Sequence, residues 1–342
     1  MQHHMTFMNC KLHFVVKLTL LTAVISIASC TRVIDVEIPD SANKIVVEGS
    51  IENGSPPIVI LTKSAKFFDA VNINDIGSYY VRGAQVSVTG SDGTFTPLTE
   101  FCLQDLNLTP QEAQELLLSF GFSQSQIDSG QVPDICVYTV PDIVNFFLTG
   151  NCAFKGQIQT SYYLDIVAPP LQDGLDSVRA NSTTYIPFAI GLDSLAFREH
   201  PNPNYRDSLV SCYAYFSVPD TFGNFIRYWT KRNSEPFYKP LSSSVYDDRL
   251  FVGLSIGLPL ERGQPDGQEF DINTYTYFRK GDTVSVKWSN IDNNTYDFYY
   301  TLENDGGDSP FSSPVKIKTN INNGLGIWAG YGSKYSTAIA PL

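Results

Sequence analysis

Histidine is almost missing from this chain: three of its four, His3, His4 and His13, sit near the N-terminus, which leaves His200 alone in the rest. That excludes a histidine-rich metal centre, and a Ser-His-Asp hydrolase would have to use His200 as its base. No Gly-x-Ser-x-Gly elbow accompanies it, and Arg198-Glu199-His200-Pro201-Asn202-Pro203-Asn204 reads as a surface turn. Phosphate-binding glycine loops are missing too, because Gly324-Leu325-Gly326 follows asparagines and lacks both the Lys-Ser/Thr pair and the helix such a site needs. The cysteines do not have zinc-knuckle spacing. Basic charge is scarce, with 23 Lys and Arg against 35 Asp and Glu. That balance argues against nucleic acid or anionic lipid as a partner.

The hydrophobic run from Leu18 to Cys30 is too short to span a bilayer comfortably, has Lys11 and Lys17 before it, and closes on small residues, which is the order of a bacterial export signal. Met8-Asn9-Cys10-Lys11 already makes a normal start for it. Ile27-Ala28-Ser29-Cys30 resembles the lipobox of lipoprotein signal peptidase, which implies cleavage after Ser29 and acylation of Cys30. Each buried methylene contributes about 0.8 kcal/mol, so several acyl chains hold a protein that one chain would bind only reversibly. Loss of residues 1–29 removes Lys11 and Lys17 and no acid, so the net charge of −12 becomes −14.

Cys10 leaves with that leader and Cys30 takes lipid, leaving Cys102, Cys136, Cys152 and Cys212 in a compartment where disulfides persist. Three full pairings are open. Cys102, Cys136 and Cys152 bracket one insertion, so a bridge within that trio is expected before one to Cys212.

Phe and Tyr number 22 and 19, with 24 Gly and 20 Pro, a composition of short strands and tight turns. Strands are expected at 44–50 and 58–62, turned at Asn53-Gly54, and at 84–89 and 94–98, turned at Ser91-Asp92-Gly93. Thr109-Pro110-Gln111-Glu112 is a capping box for a helix carrying Ala113, Leu116, Leu117 and Phe120, and Pro141 to Leu148 is a second amphipathic stretch. A strand at 161–167 ends in Pro169-Pro170, where a domain boundary is placed. Further strands are expected at 210–218, 224–231, 249–256, 274–279 and 283–288, with Lys280-Gly281-Asp282 as the hairpin turn of the last two. The segment 295–303 fits a strand or a short helix.

The expected class is mainly β, with two β-sandwich-like domains: a tether at 30–43, an N-terminal Ig-like sandwich at 44–170 with a short helical, cysteine-bearing insertion at 102–152, and a C-terminal sandwich at 175–342. The Asn72–Asp75 and Asp305–Asp308 loops are read as solvated acidic turns rather than calcium sites. Trp229, Trp288 and Trp328 are read as core before glycan platforms.

Several segments resemble successive blocks of a Bacteroidota lipoprotein family known as domain of unknown function 4249. They are Lys44-Ile45-Val46-Val47-Glu48-Gly49-Ser50, Val81-Arg82-Gly83-Ala84, Tyr162-Tyr163-Leu164-Asp165-Ile166, Asp247-Asp248-Arg249-Leu250-Phe251 and Thr319-Asn320-Ile321-Asn322-Asn323-Gly324-Leu325-Gly326-Ile327-Trp328. The resemblance implies an outer-membrane lipoprotein, often encoded beside a TonB-dependent transporter, with no catalytic residues established for the family; no cofactor or metal is expected. On that reading the chain is a non-catalytic accessory or binding component of uptake, and Phe311, Leu325, Trp328 and Tyr331 are candidate contacts with the transporter; the other reading of the closing segment is a tight strand-turn-strand packed into the second sandwich. The rival readings are an envelope glycan or peptide hydrolase working through carboxylates and a structural envelope lipoprotein.

Overall fold

The computed structural model describes residues 43–65, 77–105, 109–119, 124–128, 135–172, 174–265, 269–304 and 315–342. The leader, Cys30 and its tether, the Asn72–Asp75 and Asp305–Asp308 loops and Phe311 lie outside the described residues. Among these residues the strands are β1 (Ile45–Glu52), β2 (Ile58–Lys63), β3 (Gln85–Gly90), β4 (Phe95–Cys102), β5 (Cys136–Thr139), β6 (Thr160–Ala168), β7 (Val178–Ile186), β8 (Ser194–Glu199), β9 (Leu209–Ser217), β10 (Phe225–Arg232), β11 (Val245–Tyr246), β12 (Ser255–Leu260), β13 (Phe278–Arg279), β14 (Thr283–Ile291) and β15 (Leu325–Ile339). The helices are α1 (Pro110–Ser119), α2 (Gln124–Asp128), α3 (Ile143–Thr149) and α4 (Asn293–Glu303). None of them is long and apolar enough to cross a membrane.

Most strands join one large sheet in the order β11-β10-β14-β15-β1-β2-β5-β4-β3-β6-β7. In β1, Ile45, Val47 and Ile51 face the core while Glu48 faces out, the two-residue period of a half-buried strand. β1 pairs antiparallel with β2 and parallel with β15, opposing Gly49 to Trp328. A Cβ on Gly49 would lie 2.7 Å from the Trp328 indole, so the missing side chain makes room for the largest one in the core. β15 then changes partner: Leu325 to Tyr331 pair with β1, and Gly332 to Ile339 pair with β14.

The sheet curls so that the end of β7 packs back on β15. Cβ atoms on Gly330 and Gly332 would lie 2.5 and 2.3 Å from the carbonyl oxygens of Tyr185 and Pro187, so glycine is what permits this approach. Asp292 fastens the same place, accepting from Thr295 N as the cap of α4 and from Tyr185 N and Thr184 Oγ1 of β7. This cap resolves 295–303 as helix.

A smaller sheet centres on β9, which pairs with β8, β12 and, at Leu209 and Val210, with β13. Cys212, Ala214 and Phe216 of β9 pack with Tyr228, Val286 and Trp288 of the large sheet in one buried cluster.

The observed architecture is mainly β, but the large sheet does not break where two separate sandwiches were expected. Pro169 and Pro170 interrupt pairing only in the loop after β6, because β6 and β7 then pair along their whole length. Residues 42–342 form one compact unit. The 102–152 segment is more than an appendage, since β5 within it lies between β2 and β4. Its four residues are all buried and show no alternation, which hid them as a strand. Three local expectations also shift. Residues 249–254 are turns held by Asp248, whose carboxylate accepts from Gly223 N and Asn224 N, so the strand starts at Ser255. Only Phe278 and Arg279 of 274–279 are extended as a strand. Lys280-Gly281-Asp282 is a corner between sheets, because β13 pairs with β9 while β14 pairs with β10 and β15.

The capping box stands as expected: Thr109 N donates to Glu112 Oε2 (2.8 Å) and Glu112 N to Thr109 Oγ1 (3.3 Å). Leu117 of that helix is buried with Ile135 and Val137. Cys102 and Cys136 face each other across β4 and β5 and form a disulfide, leaving Cys152 half-buried and Cys212 buried as free thiols. A bridge over a sequence separation of 34 contributes on the order of 3 to 4 kcal/mol by restricting the unfolded chain. Burial alone pushes the Cys212 thiol up to about 12. Native protein at pH 8 should therefore leave Cys212 unalkylated and Cys152 slow to react, with two thiols appearing on unfolding without reductant. Mass spectrometry after iodoacetamide reads this, and alkylated Cys102 and Cys136 in unreduced, unfolded protein would refute the bridge.

Candidate functional site

A cleft of about 510 Å³ opens beside the smaller sheet. Its lining combines two arginines, Arg262 and Arg279, with the hydroxyl-bearing Tyr205, Ser208, Thr274 and Tyr277 and one apolar residue, Leu209. These residues are distant in sequence and meet because β13 pairs with the start of β9, setting Arg279 opposite Leu209, while Lys280 N donates to Ser208 O at 3.0 Å. Arg262 enters from a loop fixed at both neighbours: Glu261 N donates to Tyr228 Oη (3.2 Å) and Gly263 N to Thr230 Oγ1 (2.6 Å). Its own Nε donates to Tyr275 O at 3.3 Å.

His200 organises the two tyrosines. It was expected on a surface loop, but it is only 4 % exposed, with its ring centroid 4.0 Å from that of Tyr277 and 5.0 Å from that of Tyr205. Its Nδ1 lies 3.0 Å from Asn202 N and 3.2 Å from Asn202 O, and its Nε2 lies 3.4 Å from Asn273 O, so backbone groups hold both ring nitrogens. The turn that looked solvent-facing in sequence thus folds over the imidazole. Asn202 also accepts from Asn204 N at 3.0 Å, setting the short turn that presents Tyr205.

The charge in this cleft opposes that of the whole chain. Burial, with Arg232 and Arg279 nearby, lowers the pKa of Arg262 from its ordinary value, and Glu235 and Asp282 offset this only in part. Those two acids are otherwise engaged. Glu235 pairs with Arg232, and Asp282 accepts from Arg279 N and Asn233 Nδ2. Among the described residues, neither Arg262 nor Arg279 has a carboxylate within ion-pair distance. Two uncompensated guanidiniums with surrounding hydroxyls can donate to an anion. Nothing local in the sequence joins Arg262 to Arg279; the one available signal was the i, i+2 placement of Tyr277 and Arg279.

The candidate contacts from the closing segment do not assemble into a patch. Leu325 is exposed at the start of β15, whereas Trp328 is fully buried and Tyr331 is 5 % exposed. Trp328 Nε1 donates to Tyr162 O (2.9 Å), and the Asn320 side chain bonds both the N–H and the carbonyl of Trp328. Tyr331 Oη accepts from Arg227 Nη1 (2.9 Å). The Arg227 guanidinium is itself buried, 3.2 Å from the Tyr299 ring centroid and 4.6 Å from that of Trp229, with Glu303 at 4.0 Å. Trp328 and Tyr331 are therefore core residues, corrected from interface anchors, because the curled sheet closes over both. Trp288 is likewise buried between Phe216 and Tyr228, and Trp229 is covered by Arg227 and Lys287, so none of the three indoles offers a free sugar-stacking face. Glu100 lies near Cys102 and Cys136, but those sulfurs are bonded to each other and do not form a thiolate metal site.

Fold and site together define a β-rich protein with a cationic, hydroxyl-lined cleft. Residues 31–337 match the model of the family described as domain of unknown function (DUF4249), and the chain belongs to that family. No curated protein and no solved structure matches it significantly.

Trp328→Ala should cost roughly 3 to 5 kcal/mol, as expected when a large aromatic leaves a packed core. Urea denaturation measures this; a midpoint within error of the wild type would overturn the core assignment.

Proposed function

We propose that the protein is a lipid-anchored component of the outer membrane that serves a TonB-dependent uptake system by binding rather than by catalysis. The observation that carries this reading is the lipobox-like Ile27-Ala28-Ser29-Cys30, together with a family match that begins at residue 31, immediately beyond the acylated cysteine of the proposal. The non-catalytic part is supported by the makeup of the cleft, whose lining holds arginines and hydroxyls and no carboxylate. A glycosidase needs two carboxyl groups about 5 to 9.5 Å apart across its substrate. His200, the one histidine beyond the leader, packs edge-on against Tyr205 and tilted against Tyr277 and is bonded to the backbone, as a positioning residue would be. In this reading the two buried clusters, one inside the curl and one beneath the smaller sheet, are two sandwich-like halves fused through β15.

With Trp328 and Tyr331 in the core, the transporter contact falls to other surface, and Leu325 is the described candidate that stays exposed. Two measurements test the proposal. Cys30→Ser should move the protein from the membrane to the soluble fraction, and mass spectrometry should find acyl chains on wild-type Cys30; an unmodified thiol there rejects the anchor. Wild type purified from gently solubilised outer membranes should bring a TonB-dependent transporter with it. Repeated isolation without one rejects the partnership while leaving the anchor untouched.

A further inference from the structure

From the geometry of the Arg262–Arg279 cleft we infer a binding site for a small organic oxyanion, a molecule carrying a carboxylate or phosphate group. This goes beyond the uptake role and stands on separate observations. The chain carries a net charge of −12, yet two guanidiniums line one cleft with no carboxylate paired to either among the described residues. Placing the exposed Arg279 beside the half-buried Arg262 is unfavourable for the buried charge unless something of opposite sign completes the cleft. The nearby acids do not do so, since Glu235 is turned to Arg232 and Asp282 to a backbone N–H and Asn233.

The rest of the lining suits the same ligand. Tyr205 and Tyr277 supply hydroxyls that can bond its remaining oxygens, whereas Ser208 Oγ and Thr274 Oγ1 donate to the carbonyls of Tyr205 (3.3 Å) and Asp271 (3.5 Å) and would have to turn to do so; about 510 Å³ is within the usual range for a small-molecule pocket. The site is also built in advance. His200 braces both tyrosines, and the neighbours of Arg262 are fastened to β10 through Tyr228 and Thr230, so little ordering remains to oppose binding.

Calorimetry on the full-length protein in detergent, with citrate and glucose 6-phosphate as charged probes and glucose as the neutral control, tests this. At least one charged probe should bind and glucose should not, and raising the salt should weaken the binding. Arg279→Gln and Arg262→Gln should each reduce affinity about tenfold or more, the usual consequence of losing one charge-assisted bond. Arg279 is exposed, so its variant keeps the test valid if loss of the half-buried Arg262 disturbs folding. The ratio of citrate to sugar phosphate affinity distinguishes a carboxylate ligand from a phosphate one. Binding that survives both substitutions, or no binding of either charged probe up to about 10 mM, overturns the site. Neither result bears on whether a transporter co-purifies.

Discussion

The contact of Trp328 with Gly49 across the parallel pairing of β1 and β15 is the constraint on which the rest of the fold depends. Parallel neighbours need a long connection between them, and here nearly the whole chain is that connection. Once Trp328 occupies the space over Gly49, its indole N–H reaches Tyr162 O in β6, far along the same sheet. One side chain thereby ties the middle of the sheet to a strand near its edge and sets the curl. β15 carries the effect further, because its second half pairs with β14 and brings the smaller sheet's core into the same unit.

Polar contacts between these strands, some exposed and some buried, reinforce this arrangement. Glu52 at the end of β1 binds Lys287 of β14 and accepts from Tyr335 Oη of β15 at 2.7 Å. Asn53 beside it accepts from Ser333 N, extending the β1–β15 ladder by a side chain. Arg227, Tyr331, Ser244 and Glu303 form a second network that joins β10, β15 and α4. Such groups are costly to bury singly and favourable only when mutually satisfied, so they select one register over a slipped one.

What was legible in the sequence was local. The turns at Gly54 and Gly93 and the capping box at Thr109 depend on residues within a few positions of each other, and each formed where expected. What was hidden depends on pairing at a distance. Aromatic residues among glycines in the closing segment fit equally an exposed patch and a tightly packed strand, and only the presence of Gly49 and the β7 carbonyls decides between them. The same holds for the cleft. Arg262, Arg279 and His200 carry no mutual spacing signal, because it is the pairing of β13 with β9, far apart in sequence, that brings this part of the chain together. The turn at 280–282 looked like a hairpin because its residues suit one, yet its flanking strands belong to different sheets.

The order of synthesis gives the β1–β15 pairing a temporal meaning. Gly49 emerges 279 positions before Trp328, so β1 waits with one edge open until β15 has been made. Contacts this distant in sequence form slowly, and an unpaired strand edge invites pairing with other chains in the interval. A protein truncated short of β15 would lose more than one strand: β1 and β14 would each lose one of their two neighbours, and the two halves of the large sheet would have no strand between them. Completion of the large sheet therefore waits on β15, the one strand that pairs with both β1 and β14.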